Sequence, residues 1–123
     1  MTTSHIVTAL DTVTTPRLVT TPRIDAHQHF WTVARGDYGW LTPSLDALYR
    51  DVEPAELRPL LARHAIDGTI LVQAAPTDAE THFLLALADA NPFVMGVVGW
   101  ADLAAPDAAA TIDALARHPK LRG

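Results

Sequence analysis

The chain has 123 residues, of which 49% are apolar and 19% charged, values typical of one globular domain that can bury a core. Its net charge of −5, without a cluster of Lys and Arg, argues against a nucleic-acid partner. The absence of cysteine excludes disulfides and thiolate zinc sites. No apolar run approaches the roughly 20 residues that span a bilayer, and no secretion signal begins the chain, so we expect a cytoplasmic protein without a membrane partner.

Residues 1–22 differ from the rest of the chain in composition. They are rich in Thr, contain two Pro and have no apolar period, which is typical of a disordered leader or of a start codon placed too early. A transit peptide is the rival interpretation, because Arg17 and Arg23 accompany many hydroxyls, but Asp11 and the missing amphipathic stripe weaken it. We therefore predict a leader over 1–22 and a folded portion over 23–123.

The first predicted strand, residues 23–29, ends in two histidines. Side chains two apart on a strand point the same way, so His27 and His29 should aim two imidazoles into one space. Imidazole can ligate a metal, donate a hydrogen bond or move a proton near neutral pH. The alternative is a polar strand end with two solvated rings. On its own the spacing is a weak motif, and we favour a functional site.

A long loop separates this strand from the first helix. It carries four large aromatic side chains, Trp31, Tyr38, Trp40 and Tyr49. Loops of this length in compact domains are usually functional or disordered, and rings of this size argue against disorder because they seek burial. The loop is expected to plug one end of the fold, to form a wall for substrate, or both.

Further along, helices and strands alternate. Helical spacing predicts a helix within 53–65, a second from the capping pattern of Thr77 and Glu80 to about residue 90, and a third from 106 to about 118. The apolar positions expected to face the core are Leu57, Leu60 and Leu61 in the first helix, Phe83, Leu84, Leu87 and Ala88 in the second, and Ile112 and Leu115 in the third. Apolar runs predict strands at 69–73 and 93–100, and residues 121–123 resemble the start of another. His64 and His82 are expected on helix surfaces.

Strands that alternate with helices and are apolar on both faces indicate parallel βαβ units. An open doubly wound sheet and an eight-stranded barrel both satisfy this pattern, but no glycine-rich nucleotide-binding loop follows any strand. Active residues of barrels lie at the carboxyl ends of strands, where His27, His29, Gln73 and Trp100 fall. We therefore predict an α/β fold, the N-terminal part of a (β/α)8 barrel with about three βα units, although a whole barrel usually takes about 250 residues.

The chain from 23 to 123 resembles the amidohydrolase superfamily, specifically its L-fuconolactonase-like branch of sugar-lactone hydrolases. The motifs that carry the resemblance are Ile-Asp-Ala-His-Gln-His-Phe-Trp at 24–31, Tyr-Gly-Trp-Leu at 38–41, Leu-Val-Gln-Ala at 71–74, Val-Gly-Trp-Ala-Asp-Leu at 98–103 and His-Pro-Lys-Leu-Arg-Gly at 118–123. The His-x-His pair is shared by the whole superfamily, and the other motifs are more specific.

The resemblance implies a distorted barrel that hydrolyses an ester or lactone, with a small sugar lactone as the expected partner. His27 and His29 match the pair that faces the scissile carbonyl or a divalent metal, and are the expected catalytic residues. The expected substrate-binding residues are Trp31, Tyr38, Trp40, Gln73 and Trp100. Metal use varies among relatives, so the expected cofactor is none or one divalent ion, with zinc preferred and His27 and His29 as its ligands. The family's later histidines and its aspartate base have no counterpart in these residues.

Two alternatives remain open. One is a metal-dependent amidohydrolase or decarboxylase that shares the histidine pair, and the other is a non-catalytic remnant that binds sugar acids or nothing. Asp25 should point away from His27 and serve a structural role. Since the base is not found among these residues, we expect the 123-residue chain alone to be inactive. An open sheet edge with unpaired N–H and C=O groups should make it prone to self-association. The particular lactone and the oligomeric state are left open.

Overall fold

A computed structural model describes residues 21–123 of the chain. The leader predicted over 1–22 lies outside this range except for Thr21 and Pro22, which are exposed and form no regular structure. The described strands and helices are β1 (Ile24–Gln28), α1 (Pro54–Arg63), β2 (Gly68–Val72), α2 (Asp78–Ala90), β3 (Val94–Val98) and α3 (Ala108–Ala116), with a single 3₁₀ turn at Val33–Arg35. Their order matches the alternation predicted from the sequence.

The three strands form one parallel sheet in the order β1-β2-β3. At the start of the strands, Ile24 lies opposite Gly68 and Thr69 lies opposite Val94. Parallel neighbours in this order require a helix to cross over between consecutive strands, as α1 and α2 do. The predicted α/β class with parallel βαβ units is confirmed.

A short segment after α3 pairs with the free side of β3. Leu121 forms a parallel bridge with Val97, whose N–H donates to the carbonyl of Lys120 at 2.8 Å and whose carbonyl accepts the N–H of Arg122 at 2.8 Å. The start of another strand predicted at 121–123 thus lies beside β3, in the same parallel sense.

The core lies between the sheet and α2. Its fully buried members include Leu71 on β2, Val94 and Val97 on β3, and Leu84 and Ala88 on α2. Helical spacing places Leu84 and Ala88 on one face of α2, and their burial supplies the apolar driving force that holds the helix on the sheet. The apolar stripe predicted for α2 is confirmed.

The other two helices are less buried than their sequence pattern predicts. In α1 only Leu61 is buried, whereas Leu60 is 49% exposed. Pro59 is the sixth residue of α1, beyond the first turn, so it forfeits an interior backbone hydrogen bond. In α3, Leu115 is buried as predicted, but Ile112 is 42% exposed and lines a groove of about 610 Å³ beside the end of β3. The prediction of Ile112 as a core residue is therefore wrong.

Within residues 21–123, no helix combines the length and the apolar character needed to cross a membrane.

Candidate functional site

The two histidines meet at the carboxyl end of β1. Nε2 of His27 lies 3.2 Å from Nε2 of His29, and the rings contact edge to face with centroids 4.9 Å apart. The pairing of β1 with β2 shifts register between Asp25 and Gln28, the mark of a bulge, which locally re-aims side chains. Asp25 accepts the backbone N–H of His27 at 3.1 Å, the structural role predicted for it. The two imidazoles therefore share one space, as the spacing predicts.

A backbone carbonyl fixes the proton arrangement of His29. Its Nδ1 lies 2.9 Å from the carbonyl oxygen of Val72, at the end of β2. Because a carbonyl oxygen only accepts, Nδ1 of His29 must carry the hydrogen, and in the neutral ring Nε2 is then left with a lone pair. That lone pair faces Nε2 of His27. The pair can accept a shared proton or hold a cation between the two nitrogens.

The geometry of the pair suits two ligands of one metal ion. With metal–nitrogen bonds of about 2.0–2.1 Å, two nitrogens 3.2 Å apart subtend about 100° at a shared zinc ion, close to the tetrahedral angle. The hydrogen bond from Nδ1 of His29 to Val72 is the outer contact that metal-bound histidines typically make. Across residues 21–123, however, no group of three or more His, Cys, Asp and Glu is arranged to hold a metal. The described residues therefore fit as part of a zinc site, supplying two ligands where a catalytic zinc takes three from protein.

Gln73 and Trp100 follow the neighbouring strands at the same edge of the sheet. Gln73 comes directly after β2, is half-buried, and donates its backbone N–H to Val98 at 2.9 Å. The backbone N–H and carbonyl of Trp100 both bond the Thr81 hydroxyl on α2, each at 2.7 Å. The strand order thus lines up the ends that carry the histidines, Gln73 and Trp100.

Thr81 comes so close to β3 that only glycine fits at position 99. A Cβ added to Gly99 would lie 2.5 Å from Cγ2 of Thr81 and 2.9 Å from its hydroxyl oxygen. The absent side chain lets fully buried Thr81 reach the backbone of Trp100. α2 therefore sets the position of the residue at the end of β3.

In the aromatic loop, residues 30–50, the rings of Trp31 and Tyr38 are buried, whereas those of Trp40 and Tyr49 are exposed. Trp31 is 9% exposed and donates its indole N–H to the carbonyls of Arg50 and Leu48, at 2.8 and 3.2 Å. Tyr38 is also buried, whereas Trp40 is 41% exposed and donates its indole N–H to the carbonyl of Ala74 at 2.8 Å. The loop therefore plugs the fold with Trp31 and Tyr38 and presents Trp40 at the end of β2.

Glu80 is the residue of this region that sequence reasoning missed. Thr77 accepts the backbone N–H of Glu80 at 3.0 Å, so the predicted cap is present. The Glu80 carboxylate does not reach back to the backbone of Thr77, as a capping box requires, but is fully buried and accepts the Tyr38 hydroxyl at 2.9 Å. It also accepts the backbone N–H of Ala74 at 3.2 Å and Nη2 of Arg35 at 3.3 Å.

The signal that could have revealed Glu80 lies in the loop, not in the helix. Arg35 and Tyr38 are donors in a segment whose rings demand burial, so they need an acidic partner inside the protein.

Burial raises the pKa of the Tyr38 phenol, and the Glu80 carboxylate raises it further, so this phenol remains a neutral donor. Arg35 also pairs with Asp37 at 2.6 Å and stacks over Phe83, its guanidinium carbon 4.0 Å from the ring centroid.

The remaining helix histidines lie away from these strand ends, as predicted. His64 caps the carboxyl end of α1 and His82 lies on α2, and both are exposed. They serve as natural controls for the strand-end pair.

Residues 24–123 match the family model described as Amidohydrolase, and the chain belongs to the amidohydrolase family. The resemblance found in the sequence motifs is confirmed.

Two curated relatives are L-fucono-1,5-lactonases. That of Burkholderia ambifaria is 52% identical over 101 residues, which cover 82% of this chain and 35% of the relative. That of Burkholderia multivorans is 45% identical over 101 residues, which cover 82% of this chain and 34% of the relative. The chain thus spans about a third of the length of the curated relatives it matches.

Solved structures of an amidohydrolase from Burkholderia multivorans share the fold. The form with bound HEPES aligns with a TM-score of 0.76 at 43% identity, and the form with bound zinc with a TM-score of 0.75 at 44% identity. Each alignment covers 84% of this chain and 36% of the solved chain.

Proposed function

We propose that this chain contributes the first-strand histidine pair of a lactone hydrolase whose substrate is a sugar lactone of the L-fucono-1,5-lactone type. The observation that carries the proposal is the facing of the two Nε2 atoms at 3.2 Å, with the proton position of His29 fixed by Val72. The family membership and the two lactonase relatives support the reaction class.

We further propose that the parallel sheet is the first part of a (β/α)8 barrel. The pairing of residues 121–123 with β3 supports continued growth of the sheet in the parallel sense. The likeness to solved amidohydrolases over about a third of their length supports the same arrangement. In this proposal the carboxyl ends of the described strands form one wall of the substrate site.

Lactone hydrolysis needs a group that polarises the carbonyl, a base that activates water and an acid for the leaving oxygen. His27 is proposed to donate the hydrogen on its Nε2 to the carbonyl oxygen as that oxygen gains negative charge. His29, held by Val72, keeps a lone pair on its own Nε2 and is proposed to orient the His27 ring. His27 and His29 would help to hold a divalent ion such as zinc, which would supply Lewis-acid polarisation of the carbonyl. Asp25 and Glu80 are occupied by protein donors, so the base is proposed to come from outside the described residues.

Substrate contact is proposed for the accessible groups at this edge. Trp40 offers an exposed ring, and Gln73 and Trp100 follow β2 and β3 and are partly exposed. Trp31 and Tyr38 are proposed to support the wall from inside, because burial and internal hydrogen bonds occupy them.

The test uses a hybrid lactonase, the Burkholderia ambifaria enzyme with residues 24–123 of this chain in place of its matching segment. The hybrid is expected to hydrolyse L-fucono-1,5-lactone, and His27→Ala should lower turnover by about 10²–10³, as loss of one preorganised donor does. His29→Ala should also lower turnover strongly, because it removes the ring that orients this donor. His82→Ala is the matched control and should stay within about twofold, because this exposed histidine lies on α2. A folded hybrid without lactonase activity, or an equal loss in the control, contradicts the proposal.

The isolated 123-residue chain is expected to hydrolyse no lactone above the buffer rate and to elute as oligomers. Leu103 is 77% exposed and Ile112 42%, so apolar surface is available for self-association. Size-exclusion chromatography with a lactone assay measures both outcomes. A monomer with measurable lactonase activity contradicts the proposal that the base lies outside the described residues.

A further inference from the structure

The Glu80 carboxylate is more deeply buried and more fully bonded than helix capping requires. Its side chain is completely inaccessible, and the Thr77 hydroxyl already accepts the backbone N–H that a cap serves. Burying a carboxylate is costly unless several donors compensate it. The three donors that do so come from two separate segments, the aromatic loop and the backbone after β2.

We propose that Glu80 is a positioning residue, whose carboxylate fixes the aromatic loop so that Trp40 stands as a wall beside the histidine pair. This inference rests on the proposed function for its consequence in substrate binding, but its structural part is independent of any activity. Glu80 touches neither histidine in the structure and acts through the loop and through Ala74.

The connection runs through one short stretch of backbone. The carbonyl of Val72 holds His29, and the carbonyl of Ala74 holds the indole N–H of Trp40. The N–H of Ala74 is bonded to Glu80, so the same peptide segment is fixed from the side of α2. Residues 72 and 74 can be at most about 7 Å apart along the chain, which brings Trp40 to the same strand end as His29.

A second connection runs through the loop itself. The Tyr38 hydroxyl donates to Glu80 at 2.9 Å, and the ring centroids of Tyr38 and Trp40 are 6.2 Å apart in an edge contact. Trp40 also contacts Trp31 edge to face, with centroids 5.4 Å apart. The exposed ring therefore leans on two buried rings, one of which is tied directly to Glu80.

Glu80→Gln breaks this arrangement without changing side-chain shape. Two carboxylate oxygens receive three donors, whereas glutamine replaces one oxygen with an NH₂ group that can only donate. The NH₂ group of glutamine then faces either the N–H of Ala74 or the donors of Tyr38 and Arg35, and two donors form no hydrogen bond with each other. Glu53→Gln is the matched control, since Glu53 is exposed ahead of α1.

Hydrogen exchange of the 123-residue chain, followed by mass spectrometry, tests the structural part. Amides of the loop at 36–50 and of the strand end at 73–76 should exchange at least about tenfold faster in Glu80→Gln, with α3 peptides unchanged, because the opening is local. Glu53→Gln should leave all these rates unchanged. Unchanged loop exchange in Glu80→Gln overturns the inference, and so does faster exchange throughout the chain.

Kinetics of the hybrid lactonase test the consequence for substrate. A displaced wall weakens binding of substrate and transition state alike, so Glu80→Gln should raise KM about tenfold with kcat within about threefold. Tyr38→Phe removes one of the three donors and should shift KM in the same direction by less, which keeps the test decisive if Glu80→Gln is poorly folded. An unchanged KM, or a loss confined to kcat, overturns the positioning role. If the unsubstituted hybrid hydrolyses no lactone, the proposed function fails, and the exchange rates alone decide whether Glu80 holds the loop.

Discussion

The end of β1 and the first turn of α2 both form hydrogen bonds with the backbone at the carboxyl end of β2, yet they differ in exposure and in the number of their partners. The strand end presents His27 exposed and His29 half-buried, held by a single carbonyl. The helix turn hides Glu80 and Thr81 completely and saturates both with backbone or loop partners. Groups suited to chemistry are therefore left accessible, whereas the groups that fix their surroundings are buried and fully bonded.

The largest expected difference between the two regions is in stability. Glu80→Ala deprives the Tyr38 hydroxyl and the Ala74 N–H of their acceptor, at about 1 kcal/mol or more each. It also leaves a cavity in place of a fully buried side chain, so the total loss is about 3 kcal/mol. For a chain the size of the hybrid lactonase this lowers the thermal midpoint by about 5 °C. His27→Ala should lower it by less than about 1 °C, because an exposed side chain buries little.

Differential scanning fluorimetry of the two variants beside the unsubstituted hybrid measures this difference. Equal midpoints for the two variants would erase the distinction between an accessible strand end and a buried helix turn.

A smaller effect is expected at Thr81. Thr81→Val keeps the shape but deprives the N–H and the carbonyl of Trp100 of their shared partner, a loss of about 2 kcal/mol. Thr81→Ser keeps the hydroxyl and should lose about half as much, through the missing methyl group. Thermal midpoints of the two hybrid variants test the order, and a serine variant less stable than the valine variant would show that packing outweighs the hydrogen bonds.

A pH-dependent effect is expected at Tyr38. Its pKa is raised by burial and by Glu80, so the folded protein keeps a proton that an exposed phenol, with a pKa of about 10, loses. The stability that depends on this proton is complete below about pH 10 and is lost as the pH rises further, because the unfolded chain ionises first. Tyr38→Phe should therefore be less stable than the parent near neutral pH, with the gap narrowing above about pH 10.

Midpoints of the hybrid at about pH 8 and about pH 10.5 check this expectation. Tyr49→Phe is the matched control, since Tyr49 is 42% exposed, and its gap from the parent should not change with pH. A constant gap for Tyr38→Phe would mean that the phenol does not control alkaline stability.

The smallest effect is expected from deletion of residues 1–22. Their composition is rich in Thr and lacks an apolar period, so little stability is expected to depend on them. The thermal midpoint of the 123-residue chain should be the same with and without them. A lowered midpoint would show that the leader packs on the folded portion.

Strand and helix order was predictable because each element carries its own local signal. The runs at 69–73 and 93–100 are apolar throughout, and Thr77 marks the start of α2, so periodicity and capping place them within about two residues. The meeting of His27 and His29 was also predictable from their spacing, even though the pairing of β1 shifts register between Asp25 and Gln28.

What local signals could not give are contacts between distant segments. Glu80 fits a capping box in sequence, yet its carboxylate is used 42 residues away by Tyr38. Ile112 has helical spacing with Leu115, but the groove beside it is open, so the pattern predicted burial where there is exposure. The partner of Glu80 and the exposure of Ile112 both depend on how distant segments pack against each other, which the sequence of a single helix does not determine.

The close approach of Gly99 and Thr81 restricts how this sequence can drift over generations. Alanine at 99 would place its methyl group 2.5 Å from Cγ2 of Thr81, and serine at 81 would remove that atom but leave an oxygen 2.9 Å away. Full relief requires loss of the hydroxyl, and with it both hydrogen bonds to Trp100. Any side chain at position 99 therefore conflicts with Thr81, and a change at 99 is tolerated only together with a change at 81.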